Sequence, residues 1–313
     1  MSRKTLFIVN PESRAGETSR LWNQRAKNLL EQGLELEARF TKAPLQAIEL
    51  TRTALSEGYD HIVAVGGDGT INEVLNGFFA ANGTLINQQA ALSAISFATG
   101  GDLARLLPLG GEPQDIRNLC ENPYPFTCDV IRADFIDWAE KPASRYFINV
   151  SDFGIGCETV IRVNRKSKAL GGFISFLSSA LGALFSAKNI NMEIWADGHA
   201  FFQGEVSMAV IANGRFFGGG MYASPIAELD DGWMDLTVFH DFKLVQMLRC
   251  LPLVYSGNYL NHPQVIHTRA QSVSFKSQER FPFETDGELP GTSDVHYKIM
   301  PGAIQLLLNR PPA

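Results

Sequence analysis

The sequence predicts two domains of different texture: a doubly wound α/β domain over residues 1–125, then a β-rich, sandwich-like domain over 126–305, with the tail near 306–313 able to return to the first. Three observations carry this. Apolar strands alternate with amphipathic helices through the first 80 residues, as a parallel sheet wound with helices requires. Beyond about residue 125 the pattern changes to β-rich runs separated by Gly, Asp, Asn or Pro. At 313 residues the chain also exceeds the roughly 100–200 expected of one domain, and the boundary is expected near Pro123 to Pro125.

In order, Leu6 to Val9 reads as a buried strand, followed by the polar loop Asn10 to Gly16. A helix is expected from Glu17, with Trp22, Ala26, Leu29 and Leu30 on one face and Gly33 as its stop. Leu34 to Phe40 alternates as a strand, and Pro44 to Glu57 reads as a second helix. His61 to Val65 is a third strand, ending at Gly66-Gly67-Asp68-Gly69-Thr70. Thr70 and Glu73 have capping-box spacing, which predicts a helix beginning directly after the glycines and running through Val74, Leu75 and Phe78. In the second half, strands are expected over Thr127–Phe135, Arg145–Val150, Asn191–Trp195, Phe202–Ala212, Met234–Phe239 and Val265–Phe275, with helices near 158–187 and 243–256.

Composition excludes several classes. Hydrophobic residues at 45% and charged residues at 19% suit a globular chain rather than a disordered or coiled-coil one. A net charge of −6 argues against a nucleic-acid partner, because few phosphates could be neutralised. Cys120, Cys128, Cys157 and Cys250 show neither C-x-x-C nor zinc spacing, which fits a reducing, cytoplasmic setting. The apolar run Leu6 to Val9 is too short for a signal peptide. The six histidines show no metal-protease pattern, and no G-x-S-x-G elbow is present. Ala169 to Ala187 carries no charge but is diluted by Gly and Ser, so it reads as a packed or surface helix rather than a membrane span.

The strand followed by GGDGT is the most informative feature. Two glycines let the backbone bring N–H groups close to phosphate oxygens, and the helix that follows aims its positive end at the same place. Asp68 can hold Mg²⁺ on those phosphates. The loop is neither a Walker A nor a Rossmann fingerprint, and taken alone it also fits a structural turn in which Asp68 merely caps.

Further segments resolve that choice. Asn10-Pro11 with Gly16, Val65 to Glu73, Asn149 to Gly156, Ala212-Asn213-Gly214 with Gly218 to Gly220, Pro225, Ala227 and Asp231-Gly232, and finally Asp286-Gly287-Glu288 with Pro301-Gly302-Ala303, follow one another in order. Together they resemble the diacylglycerol kinase catalytic-domain superfamily, and within it the YegS-like bacterial lipid kinases. The resemblance implies an NAD kinase/diacylglycerol kinase-like first domain and a lipid kinase that uses ATP and Mg²⁺, with nucleotide and lipid meeting in a cleft. It places ATP on Asn10, Pro11, Glu12, Ser13, Arg14, Thr41, Gly66, Gly67, Asp68, Gly69, Thr70, Asn72 and Thr99. It makes Glu288 the general base that takes the lipid hydroxyl proton, with Asp68 beside the phosphates, and it gives a second-domain Mg²⁺ site to Glu228, Asp231 and the Trp233 carbonyl. Phosphoryl transfer asks chiefly for positioning and charge neutralisation, and that set supplies both.

One segment departs from the family pattern. Where P-x-G-T-x-N-D is usual, this chain reads Ser96-Phe97-Ala98-Thr99-Gly100-Gly101-Asp102, so a weaker or altered nucleotide preference is expected. An NAD kinase, a phosphofructokinase-like sugar kinase and a non-catalytic relative that binds lipid or nucleotide stay open as alternatives. Arg162, Arg165, Lys166 and Lys168 precede the uncharged 169–187 stretch and offer a transient contact with an anionic membrane surface. The lipid acceptor and the oligomeric state, a dimer among the options, are not legible.

Overall fold

The computed structural model describes residues 3–97, 101–154, 157 and 189–312. They form two compact units, Met1–Cys128 with Gly302–Ala313, and Asp129–Pro301.

In the first unit, β1 (Thr5–Val9), β2 (Ala38–Phe40), β3 (His61–Val65) and β4 (Ala91–Ile95) alternate with α1 (Glu17–Glu31), α2 (Gln46–Ser56) and α3 (Asp68–Gly77). The strands pair in parallel in the order β2-β1-β3-β4, and Gln305 and Leu306 add a further parallel pairing beside Ala91 and Leu92. Every residue of β3 is buried, as a strand covered on both faces must be. Trp22 of α1 packs 4.9 Å from Phe7, anchoring a core with Leu29, Val63, Val65, Ile95 and Ile116. The expected strand over 34–40 contracts to three residues. Gly33 adopts a left-handed conformation that closes α1, and the Leu34 amide is drawn back to the Leu29 carbonyl at 2.9 Å. His61 is a packing residue, bridging Thr5 and Ser93, and burial lowers its pKa to about 3. Short helices α4 (Leu103–Leu106) and α5 (Pro113–Glu121) complete the α/β unit.

The second unit is antiparallel. Its strands include β5 (Tyr124–Asp137), β6 (Pro142–Phe147), β7 (Val150–Gly154), β8 (Ile190–Ala196), β9 (His199–Ala212), the short β10 (Phe216–Phe217) and β11 (Met221–Tyr222), β12 (Met234–His240), β13 (Val265–Ala270), β14 (Ser272–Lys276), β15 (Pro282–Thr285) and β16 (Glu288–Leu308), with α6 (Leu244–Ser256) after β12. Hydrogen bonding runs from β9 through β8, β14, β16, β15 and β7 back to β9, so these strands close on themselves. Residue alternation separates two cores. Phe153, Ile211, Phe275, Phe283 and Tyr297 belong to one, while Val150, Val210 and Ala212 join Met247 and Cys250 of α6 in the other. Arg162, Arg165, Lys166, Lys168, the 169–187 stretch and Thr99 lie outside the described residues.

Candidate active site

The GGDGT turn is assembled tightly. Gly66 donates its amide to Ile95 at 3.1 Å, and a Cβ placed on Gly66 would lie 2.4 Å from the Thr70 hydroxyl oxygen, so only glycine fits there. The helix begins at Asp68, three residues before the start that a Thr70 N-cap would give, with Gly67 in the extended N-cap position. The expected capping box is replaced by other partners. Thr70 accepts a hydrogen bond from the Asn10 side-chain amide at 3.0 Å, and Glu73 accepts the Leu45 and Ala47 amides at the start of α2. No side chain caps α3, leaving the first-turn N–H groups of a ten-residue helix for an outside acceptor.

Asp68 is the focus of this site. Its Oδ2 accepts the Asp102 amide at 3.1 Å, whereas its Oδ1 is buried without a hydrogen-bond partner. Burial raises the Asp68 pKa, opposed by the Asp102 amide. Gly101, where the family pattern has Asn, explains this packing: a Cβ there would lie 3.0 Å from Asp68 Oδ1. The departure therefore leaves room for the carboxylate. A buried, unpartnered carboxylate oxygen at the first turn of a helix without a side-chain cap fits a hard cation bound with phosphate, so Mg²⁺ suits Asp68 on the chemistry of its donor.

The other residues that the resemblance assigns to ATP divide. Asn10 joins Thr70, and its own Oδ1 accepts the Glu12 amide. Ser13 bonds the Asn10 carbonyl and Thr18, and Arg14, with a positive φ, bonds the Phe97 carbonyl and pairs with Glu17 at 2.7 Å. Thr41 donates its amide to Val9 at 2.9 Å, which places it at the end of β1. Asn72 is buried and accepts from Asn76, a position inside the helix packing rather than on the loop surface.

In the second unit, five widely spaced segments meet. Asp286 and Gly287 both have positive φ and form a two-residue hairpin turn, which sets Glu288 opposite Thr285. The Asp286 carboxylate accepts the amides of Ile148, Asn149 and Val150 at 3.4, 3.3 and 3.0 Å. The Asn149 carbonyl takes the amides of Asn213 and Gly214, and the Asn213 side chain donates to the carbonyls of Asp129 and Ile148. Asp129, almost fully buried in β5, accepts the Gly232 amide at 2.6 Å. Glu288 is half-buried at the head of β16.

Beside this hairpin lies a buried carboxylate pair that the motifs did not reveal. Asp152 and Glu284 stand opposite each other on β7 and β15. Burial raises the Asp152 pKa to about 7 and, with the Asp152 charge second, raises that of Glu284. The geometry fits one shared proton, carried by Glu284 and donated to Asp152. Glu284 also accepts the Gly287 amide at 2.6 Å, so the pair braces the turn that leads to Glu288. A lone acid within a buried run, as in Cys128-Asp129-Val130 or Ser151-Asp152-Phe153, is the one sequence signal for such residues.

The residues that the resemblance assigns to a second Mg²⁺ ion present a different picture. Glu228 is exposed. Asp231 accepts the Trp233 amide at 3.0 Å on Oδ1 and forms an ion pair with Arg269 through Oδ2. Among the described residues, no group of three His, Cys, Asp or Glu side chains is arranged to hold a metal.

A parallel sheet that ends in a glycine-flanked helix start without a side-chain cap is a place suited to phosphate oxygens. Residues 4–132 match the diacylglycerol kinase catalytic domain, and residues 150–308 match the YegS C-terminal NAD kinase beta sandwich-like domain. The chain belongs to the YegS-like diacylglycerol kinase family. It is 28% identical over 297 residues to a diacylglycerol kinase of Staphylococcus carnosus (strain TM300), covering 95% of this chain and 92% of the relative. It is 26% identical to one from Bacillus subtilis (strain 168), covering 92% and 91%. Among solved structures, a diacylglycerol kinase from Bacillus anthracis str. Sterne superposes with a TM-score of 0.69 at 19% identity, covering 98% of this chain and 97% of that one. Yeast NADH kinase complexed with NADH shares the fold at a TM-score of 0.58 and 11% identity, covering 98% and 84%. No described helix is long and apolar enough to cross a membrane.

Proposed function

We propose that this chain transfers the γ-phosphate of ATP to the hydroxyl of a lipid. Membership of a lipid kinase family supports the reaction class. The observation that carries the reading is Asp68, whose buried Oδ1 lacks a partner beside an uncapped helix start. In this reading the α3 amides and the Gly66-Gly67 backbone hold phosphate oxygens, while Asn10 fixes Thr70 and hence the turn. Mg²⁺ held by Asp68 would offset phosphate charge when bound. Glu288, at the start of β16, takes the proton of the attacking hydroxyl, and the Asp286 turn fixes where its backbone begins. A diacylglycerol-like lipid is the acceptor class.

The test is a kinase assay of the full chain with radiolabelled ATP and Mg²⁺ against a total lipid extract, the labelled product identified by mass. A phosphorylated lipid that is absent with Asp68→Asn supports the reading. Phosphorylation of NAD or a sugar instead, or no labelled lipid from any fraction, overturns it.

A further inference from the structure

Arg269 lies on β13 directly across from Asp235 of β12. Its guanidinium reaches Asp231 Oδ2 and sits 5.8 Å above the Trp233 ring, a distance at which cation and ring attract. Asp231 Oδ1 is taken by the Trp233 amide. Both oxygens of the carboxylate that would bind a divalent ion are therefore engaged by the protein itself.

We propose that Arg269 is the resident cation of this second-unit acidic cluster and stands where the resemblance would put a metal ion. A guanidinium suits the place because it binds a carboxylate through a planar fork and stacks on an aromatic face. A Mg²⁺ ion needs a near-octahedral set of oxygens at 2.0–2.1 Å, and to reach Asp231 it would have to displace a like charge already paired there. Asp231 is paired without a metal, and the turn that carries it is tied to β13 by that ion pair.

Mn²⁺ binding to the full chain, counted by electron paramagnetic resonance without nucleotide or lipid, tests this independently of any kinase activity. Wild type and Asp231→Asn are expected to bind the same number of ions. Arg269→Leu is expected to gain one ion per chain, lost again when Asp231→Asn is added, while Arg269→Lys gains none because the charge is kept. Loss of one ion on Asp231→Asn in the otherwise wild-type chain would overturn the proposal, as would an Arg269→Leu protein that gains none. If Arg269→Leu does not fold, the comparison of wild type with Asp231→Asn decides alone.

Discussion

The two units build their polar sites in opposite ways. In the first, five consecutive residues supply the turn, the helix start and the carboxylate, and neighbouring strands only steady them. In the second, Asp129, Asn149, Asn213, Gly232 and Asp286 come from five distant segments and meet through buried hydrogen bonds. A contiguous site depends on local backbone geometry, so its residues can be exchanged for isosteres with little effect on stability. A dispersed site is part of the fold, so the same kind of exchange is expected to weaken the fold.

Replacing Asp68 with Asn gives the largest expected effect and tests the first half of that contrast. The Asn carbonyl can still accept the Asp102 amide, and a buried charge is removed, so the urea midpoint should stay within error of wild type. Lipid phosphorylation should fall by about 10²–10³-fold, the range for losing one positioned electrostatic group. Activity within tenfold of wild type in a folded protein would break the assignment.

The same logic applied to the second unit predicts loss of stability. Asp286→Ala removes the acceptor of three amides and puts Ala at a φ of 47°. Hydrogen bonds to a charged group contribute about 1.5–3 kcal/mol each, and two of these are long. Part of that is screened at a half-exposed site, so a destabilisation of about 2–3 kcal/mol is expected in urea unfolding. A change under about 0.5 kcal/mol, the range of ordinary surface substitutions, would show that the dispersed site is not structural.

Glycines sharpen the comparison within one motif. Gly66→Ala places a Cβ against Thr70, which must turn away and release Asn10; overpacking of this kind costs about 1–3 kcal/mol. Gly67→Ala meets nothing within 4 Å at an extended backbone position and should be nearly neutral. Partial rescue of Gly66→Ala by Thr70→Gly, which removes the Cβ contact at 2.7 Å along with the hydroxyl, would identify the clash, whereas equal losses at 66 and 67 would exclude it.

This contrast also explains what the sequence made legible. The strand-turn-helix order of the first unit is written in local periodicity, and GGDGT marks its end. α3 starts before the position that Thr70 and Glu73 predict because both satisfy partners on other elements, Asn10 and the amides of α2, which spacing cannot reveal. In the second unit the β-rich texture was legible, but the roles of Asp129, Asp152 and Glu284 were not. Asp129 and Asp152 are single acids among mostly apolar neighbours, with partners more than 100 residues away, and Glu284 meets Asp152 only across strands. In sequence Asp286-Gly287 stands out only as part of a family signature, while its positive φ pair shows that it is first a hairpin turn.

The smallest expected effect concerns the buried pair beside that hairpin, and it appears as a slope rather than a loss. Asp152 has a pKa of about 7 in the folded chain, against an ordinary 3.8 when exposed. Unfolded Asp152 therefore ionises first as pH rises, while the folded pair keeps its proton. A group whose folded pKa is raised contributes its full stability below the unfolded value and loses it as pH climbs towards the folded one. Wild-type stability should fall as pH rises from about 4 to 7 and go on falling above 7 while Glu284 keeps its proton, each raised group contributing on the order of 1 kcal/mol per pH unit. Asp152→Asn removes one carboxylate and relieves the repulsion that holds Glu284 up, so its curve should be flatter and should cross above wild type near neutrality. Other raised acids, Asp68 and Asp235 among them, titrate in both proteins and cancel in the difference. Parallel urea midpoints for the two proteins from pH 4 to pH 8 would mean that the pair is not sharing a proton, and that the brace under Glu288 is the Gly287 hydrogen bond alone.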